Sequence, residues 1–320
     1  MNIGYEEAWK KLCSVDNIML LTHRNPDGDA VGSLFGLYRQ LKKNGKNVRC
    51  LIDDMTNSLR QAVDESAFDD FTPDCVVTVD VADIKLLTDE HREAYGEKVF
   101  LSIDHHGTNK AFAEYTLLDA SAAAACEVLF DLFTAVGQEI DAETAKCLYI
   151  GISTDTGCFR YPNTSAKTLR TAAELVDRGI NNGEINRIIF ETKTKEYAEF
   201  EKAAMNSLKT YLDGRCAIMT LSLEMFERCR IKEADIAGIS ALPRQIEGVE
   251  VGVVLKEREN GAYKISMRSN EPVSVADICA KMGGGGHKLA AGCDVRGTEA
   301  EVTKTVLRYV TEALCGSERS

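Results

Sequence analysis

No apolar run in this sequence approaches the roughly 18–20 residues that a bilayer-spanning helix needs. The opening residues, "MNIGYEEAWKKLCSVDN", mix acids with lysines and lack the apolar core of a secretory signal. These two absences point to a cytoplasmic protein with no membrane partner. There is also no C-x-x-C pair among the eleven cysteines, and most of them sit in apolar stretches such as "CVVTVD" and "AKCLYIG". That argues against a zinc ribbon or a disulfide framework and for buried, reduced thiols. No internal repeat or low-complexity segment is present.

Positive charge is scarce. Lys and Arg number 38 against 50 Asp and Glu, a net charge of −12. Such a balance argues against a long basic groove that tracks a nucleic-acid strand. The deficit is uneven, since residues 216–320 hold 14 basic and 15 acidic side chains. Residues 1–215 therefore carry nearly all of it, which fits metal binding in the first part and anion contact in the second. Acids that only solvate the surface would account for most of the same excess.

A chain of 320 residues, 44% hydrophobic and 28% charged, is long enough for two domains with a core in each. The first half alternates apolar runs with helical patterns, the mark of an α/β fold on a largely parallel sheet with flanking helices. Strands are expected at 17–22, 46–52, 75–80 and 98–103. Helices are expected from about Ala30 to Asn44 with Gly45 at the C-cap, over 122–136 with Ser121 as N-cap, and over 142–152 with Asp141 as N-cap. A charged helical connector is expected over 191–214. It separates residues 1–190 from a smaller α/β domain with a mixed sheet over 215–320. In that domain "VEVGVVLKE" and "AYKISMRS" read as an antiparallel pair turned at "RENG", and a last helix covers about 299–314.

Three of these strands end in potential ligands. "LLTHRNPDGDAVGS" places His23, Asp27 and Asp29 after the first, "VTVD" ends in Asp80, and "LSIDHH" ends in Asp104, His105 and His106. Open α/β sheets form sites at the carboxyl ends of their strands, so these ends can share one crevice. "GISTDTGCFRYPNTS" adds Asp155 after a helix. The chain has only five histidines, and three belong to this set. His91, in "LLTDEHREAYG", reads instead as a solvated helix residue. Asp27 and Asp29 would also serve simply as an Asx turn and helix cap. Histidines and carboxylates without thiolate suit Mn²⁺, and less selectively Mg²⁺, Fe²⁺ or Co²⁺. Carboxylates this crowded repel unless cations neutralise them, and two ions roughly 3.5–4 Å apart would serve phosphoryl displacement.

A second feature is "MGGGGHKLAAG". Four consecutive glycines imply either a loop approaching phosphate or severe crowding. Their N–H groups are expected to form an anion nest before a helix starting near His287. Arg268, ending the strand "ISMRSN", could grip phosphate or a base edge bidentately.

Taken together, "HRNPDGDAVGS", "VTVD", "DHHG" and "STDTG" resemble the four motifs of the DHH phosphoesterase superfamily. "GGGGHKLAAG" is similar to the glycine-rich motif of its associated C-terminal domain. In size and layout the chain looks most like the nanoRNase/pAp phosphatase branch. RecJ-type exonucleases usually carry more domains, and family II pyrophosphatases lack this glycine loop. The resemblance implies a phosphoesterase with two Mn²⁺ ions. One would be held by His23, Asp27 and Asp80, and the other by Asp29, Asp80, His105 and Asp155, with Asp80 bridging. His106 would face the scissile phosphate, and Asp104 would orient a histidine. Arg268, Gly283–Gly286 and His287 would bind the terminal nucleotide across an interdomain cleft. The implied substrates are short RNA of about two to five nucleotides and 3′-phosphoadenosine 5′-phosphate (pAp). Cyclic or linear dinucleotides, or RecJ-like exonuclease action, are the alternatives. Oligomeric state stays open, a homodimer among the options.

Overall fold

The computed structural model describes residues 1–52, 55–63, 71–236, 238–270 and 272–317. The chain divides into two compact units, Met1–Thr192 and Lys193–Ser320.

The first unit is built on a fully parallel five-stranded sheet in the order β2-β1-β3-β4-β5. Its strands are β1 (Asn17–Leu21), β2 (Asn47–Leu51), β3 (Cys75–Val79), β4 (Val99–Asp104) and β5 (Tyr115–Leu118). Among the described residues, eight α-helices accompany them: α1 (Tyr5–Cys13), α2 (Gly28–Lys43), α3 (Asn57–Ala62), α4 (Asp89–Tyr95), α5 (Ala125–Ala135), α6 (Ala142–Asp155), α7 (Ala166–Asp177) and α8 (Asn182–Asn186). Strand residues alternate between two cores. Ile18, Leu20, Val77 and Val79 pack into the large cluster with α2, α5 and α6, whereas Met19, Leu21 and Val76 enter a smaller one with Leu87 and Val99. Burial on both faces explains why these strands read as continuous apolar runs.

Helix α2 meets α6 along a stripe of glycines one turn apart, Gly28, Gly32 and Gly36. A Cβ at Gly28 would strike Thr154. One at Gly32 would strike the Cys147 carbonyl and come within 3.0 Å of Cys126 Sγ. At Gly151, on α6, it would strike Cys126 and lie 2.5 Å from Asp29 Oδ1. The missing side chains let the two helices close, and this brings the start of α2 beside the end of α6.

Helix α2 starts at Gly28 and is C-capped by Asn44, with Gly45 just beyond at φ +74°, and two other expected boundaries move by three residues each. Helix α5 starts at Ala125, not 122, and Ser121 is not its N-cap. Ser121 instead gives its N–H and hydroxyl to Asp119 Oδ1, in a tight turn. Helix α6, capped by Asp141 as expected, runs on through Asp155 rather than stopping at 152.

The second unit holds α9 (Lys195–Ser207), β6 (Lys209–Tyr211), β7 (Cys216–Leu221), α10 (Leu223–Cys229), β8 (Val251–Glu257), β9 (Ala262–Ser269), α11 (Val275–Ala280), β10 (Gly285–His287), β11 (Ala290–Arg296) and α12 (Glu299–Ser317). Its mixed sheet runs β10-β11-β9-β8-β7-β6, with only the β7–β8 pair parallel. Helix α9, read as part of a connector, packs its buried Phe200 and Ala204 with Met219, Leu221 and Val254 in a core of this unit.

The segment after the glycines is not a helix. Gly285–His287 is an edge strand that pairs antiparallel with β11 and turns back at Lys288 and Leu289. The N–H groups of Gly283 and Gly284 bond the carbonyls of Ala280 and Cys279 at 3.1 and 2.9 Å, closing α11. Crowding explains Gly284 and Gly286, whose Cβ positions fall on β11 atoms, while Gly285 faces open space. Among the described residues, no helix is long and apolar enough to cross a membrane.

Candidate metal centre

Strand ends β1, β3 and β4 and the facing ends of α2 and α6 bring six of the expected ligands together. His23, Asp27 and Asp80 form one group, and Asp29, His105 and Asp155 another. Asp80 and His105 also group with His106. His91 lies on α4 and joins none of them.

Asp80 occupies the middle. It is 3% exposed and adopts φ +57°, an unfavourable conformation for a side-chain-bearing residue. Its Oδ2 lies 3.6 Å from His23 Nε2 and its Oδ1 lies 3.6 Å from His105 Nε2. Buried Oδ1 has no hydrogen-bond partner. His23 Nε2 is also 3.9 Å from Asp27 Oδ1. His105 Nε2 is 3.8 Å from Asp29 Oδ2 and 3.3 Å from Asp155 Oδ2.

The orientation of the imidazoles is set from behind. His23 Nδ1 lies 2.9 Å from the Arg24 carbonyl, and His105 Nδ1 lies 3.3 Å from that of Ala122. A carbonyl can only accept, so each Nδ1 donates there and each Nε2 is left facing the carboxylates. Separations mostly above 3.5 Å between Nε2 and carboxylate oxygens are too long for good hydrogen bonds, but the spacing suits neighbouring ligands of a divalent cation.

The acids confirm the crowding. Burial, then the charges of Asp80 and Asp27, push Asp29 well above the ordinary carboxylate range. Burial, then Asp29, Asp27 and Asp80, push Asp155 to about 10. Burial disfavours a charged His23, yet the carboxylates of Asp27 and Asp80 outweigh it and raise the imidazole to about 11. Such a set is stable in charged form only with added positive charge. The donor set, all imidazole nitrogen and carboxylate oxygen, fits Mn²⁺ or a similar ion.

Two anchors were not foreseen from the sequence. Asp29 accepts from the N–H groups of Ala125 at 2.6 Å and Cys126 at 2.9 Å, and so caps α5 from another helix. That is why α5 starts there, without a capping side chain at Ala124. Asp27 likewise caps α2, accepting from Asp29 and Ala30, while the same Oδ1 stands 3.9 Å from His23 Nε2. The second anchor is Asn109. Its Nδ2 donates to Asp104 Oδ2 at 2.6 Å and to the Val81 carbonyl at 3.2 Å. Asp104 is fully buried and lies 2.8 Å from His106 Nδ1. That hydrogen bond lifts His106 to about 9. Burial would raise Asp104, but its bonds to His106 and Asn109 prevail and hold it below the usual range.

In the second unit, strand register relates two candidate binding residues. His287 pairs with Ala290, and Ala290 pairs with Arg268. Residues in one cross-strand row point to the same face, so His287 and Arg268 flank the small Ala290 roughly 10 Å apart.

The N-terminal domain model of the DHH family matches residues 17–152, and the DHHA1 domain matches residues 223–314. A bifunctional oligoribonuclease and PAP phosphatase NrnA from Thermus thermophilus is 34% identical over 314 residues, covering 93% of this chain and 90% of the relative. The protein of the same description from Mycoplasma genitalium is 30% identical, covering 89% and 91%. The crystal structure of an exopolyphosphatase-related protein from Bacteroides fragilis superposes with a TM-score of 0.88 at 25% identity, covering 96% of both chains. This chain belongs to the DHH family of phosphoesterases, on the branch that carries a DHHA1 domain.

Proposed function

We propose that this enzyme uses two divalent cations, Mn²⁺ foremost, to hydrolyse very short oligoribonucleotides and pAp. The observation that carries the reading is Asp80, buried between His23 and His105 with one oxygen toward each and Oδ1 unpaired. The relatives named as oligoribonuclease and PAP phosphatase support the substrate class. His23, Asp27 and Asp80 would hold one ion, and Asp29, Asp80, His105 and Asp155 the other. Bound there, two cations would polarise the phosphate and lower the pKa of a water.

The chain's own groups supply the rest. With Nδ1–H committed to Asp104, His106 presents its Nε2 proton to a departing oxygen and acts as general acid. Asp104 and Asn109 fix the direction of that proton. Arg268 would grip phosphate as a fork, with His287 across Ala290 and Gly285, of the Gly283–Gly286 segment, open on the His287 side. A nearly neutral second unit offers no long track for a strand, which favours substrates read at one terminal nucleotide.

The test is a substrate panel with Mn²⁺: pAp, a trinucleotide, a 24-nucleotide RNA, linear and cyclic diadenylates, and pyrophosphate. Highest rates on pAp and the trinucleotide are expected. Faster degradation of the 24-nucleotide RNA would favour a RecJ-like exonuclease, and preference for cyclic diadenylate would move the reading to second-messenger turnover.

A further inference from the structure

The turn after Asp155 is strained, closed and exposed at its tip. Gly157, Cys158 and Phe159 have φ values of +56°, +57° and +63°. Side-chain-bearing residues avoid this region, and a run of three persists only where its surroundings dictate it. Here they do. The Thr156 carbonyl accepts from the N–H groups of Arg160 at 2.9 Å and Tyr161 at 3.0 Å, and the Thr156 hydroxyl accepts from Phe159. Asn163 then returns to the start, donating to the carbonyls of Asp155 at 3.1 Å and Ala123 at 3.2 Å. Both ends of the turn are thus tied to a residue of the metal centre.

Two side chains are held at the tip. Arg160 Nε donates to the Gly157 carbonyl at 2.5 Å, which pins its guanidinium. The Tyr161 ring rests on Gly157, and its carbons fill the space that a side chain there would need. Yet Tyr161 stays 48% exposed, the one aromatic among the exposed large apolar side chains of the described residues. A ring that only covered a glycine would not need a strained turn to hold half of it in water.

We propose that this turn grips the nucleotide portion of the substrate: Tyr161 stacks on a base, and Arg160 contacts a phosphate. Aromatic faces accept any base, and a fixed guanidinium suits phosphate oxygens. An exposed cation on the turn that follows Asp155, in the acidic part of the chain, also gives the anionic substrate a local point of attraction. This rests on the phosphoesterase reading above and specifies how that site would recognise a nucleotide.

The test compares KM for a dinucleotide with KM for its counterpart lacking one base, in the wild type, Tyr161→Ala, Tyr161→Phe and Arg160→Gln. The wild type should favour the base-bearing substrate. Tyr161→Ala should raise KM for it about 5- to 150-fold and erase most of the preference, and Tyr161→Phe should keep it. Arg160→Gln should raise KM for both substrates. An equal loss on both in Tyr161→Ala, with preference intact, overturns the stacking role. A wild type that hydrolyses neither overturns the functional reading instead. Calorimetric binding of AMP then decides the stacking role, which stands if Tyr161→Ala weakens it and falls if the affinities match.

Discussion

His106 Nδ1 lies 2.8 Å from Asp104 Oδ1, and this one contact sets the protonation of the histidine nearest to Asp80 on the exposed side of the site. An imidazole held at about 9 keeps its proton below that pH and loses it above. A step that needs the proton therefore fails as pH rises through about 9. Asp104→Asn removes the charge and should move the alkaline fall of kcat downward, toward the ordinary histidine value of about 6.5. A pH–rate profile measures it.

His106→Ala should lower kcat by about 10²–10⁴-fold, the range for lost acid–base assistance, while metal content stays near that of the wild type. Elemental analysis beside kinetics separates the two effects. A sharp fall in bound metal would make His106 a ligand.

Binding of Mn²⁺ at pH 7 should release protons, because burial and mutual repulsion hold Asp29 and Asp155 above the usual carboxylate range. Calorimetry in buffers of different ionisation enthalpy reads this as a buffer-dependent heat. The same shifts make the folded, metal-free protein bind more protons than the unfolded chain between about pH 4 and 10. Its thermal stability should consequently fall as pH rises from 6 to 8, and added Mn²⁺ should remove that dependence.

Gly32→Ala should separate α2 from α6, since the new methyl meets the Cys147 carbonyl and Cys126 Sγ. Overpacking of this kind costs about 1–3 kcal/mol. The expected result is a lowered Tm together with weaker Mn²⁺ binding, because Asp29 rides on α2 and Asp155 on α6. A lowered Tm with unchanged metal affinity would show that the helix contact does not position the ligands.

Five of the six candidate ligands were legible because they follow a strand or begin a helix, where apolar runs stop at a charged residue; Asp155 instead ends α6. His23, Asp80 and His105 stand out for that reason. Their supports were not, since Asp29 caps α5 across 96 residues and Asn109 reaches back to Asp104 by a turn. No local pattern encodes such contacts. The glycine run misled in a specific way: it was read as the entry to a helix, whereas it closes one helix and then forms an edge strand crowded by β11. Ser121 was read as a cap because its type suits one, but the capping group came from Asp29.

The most direct measurement is the return of Mn²⁺ to fully chelated protein while phosphate release from pAp is followed. The account expects no turnover without metal and full turnover only as the second equivalent binds, with Asp80→Ala failing to reach that state. Full activity in the metal-free protein, or after a single equivalent, would contradict it.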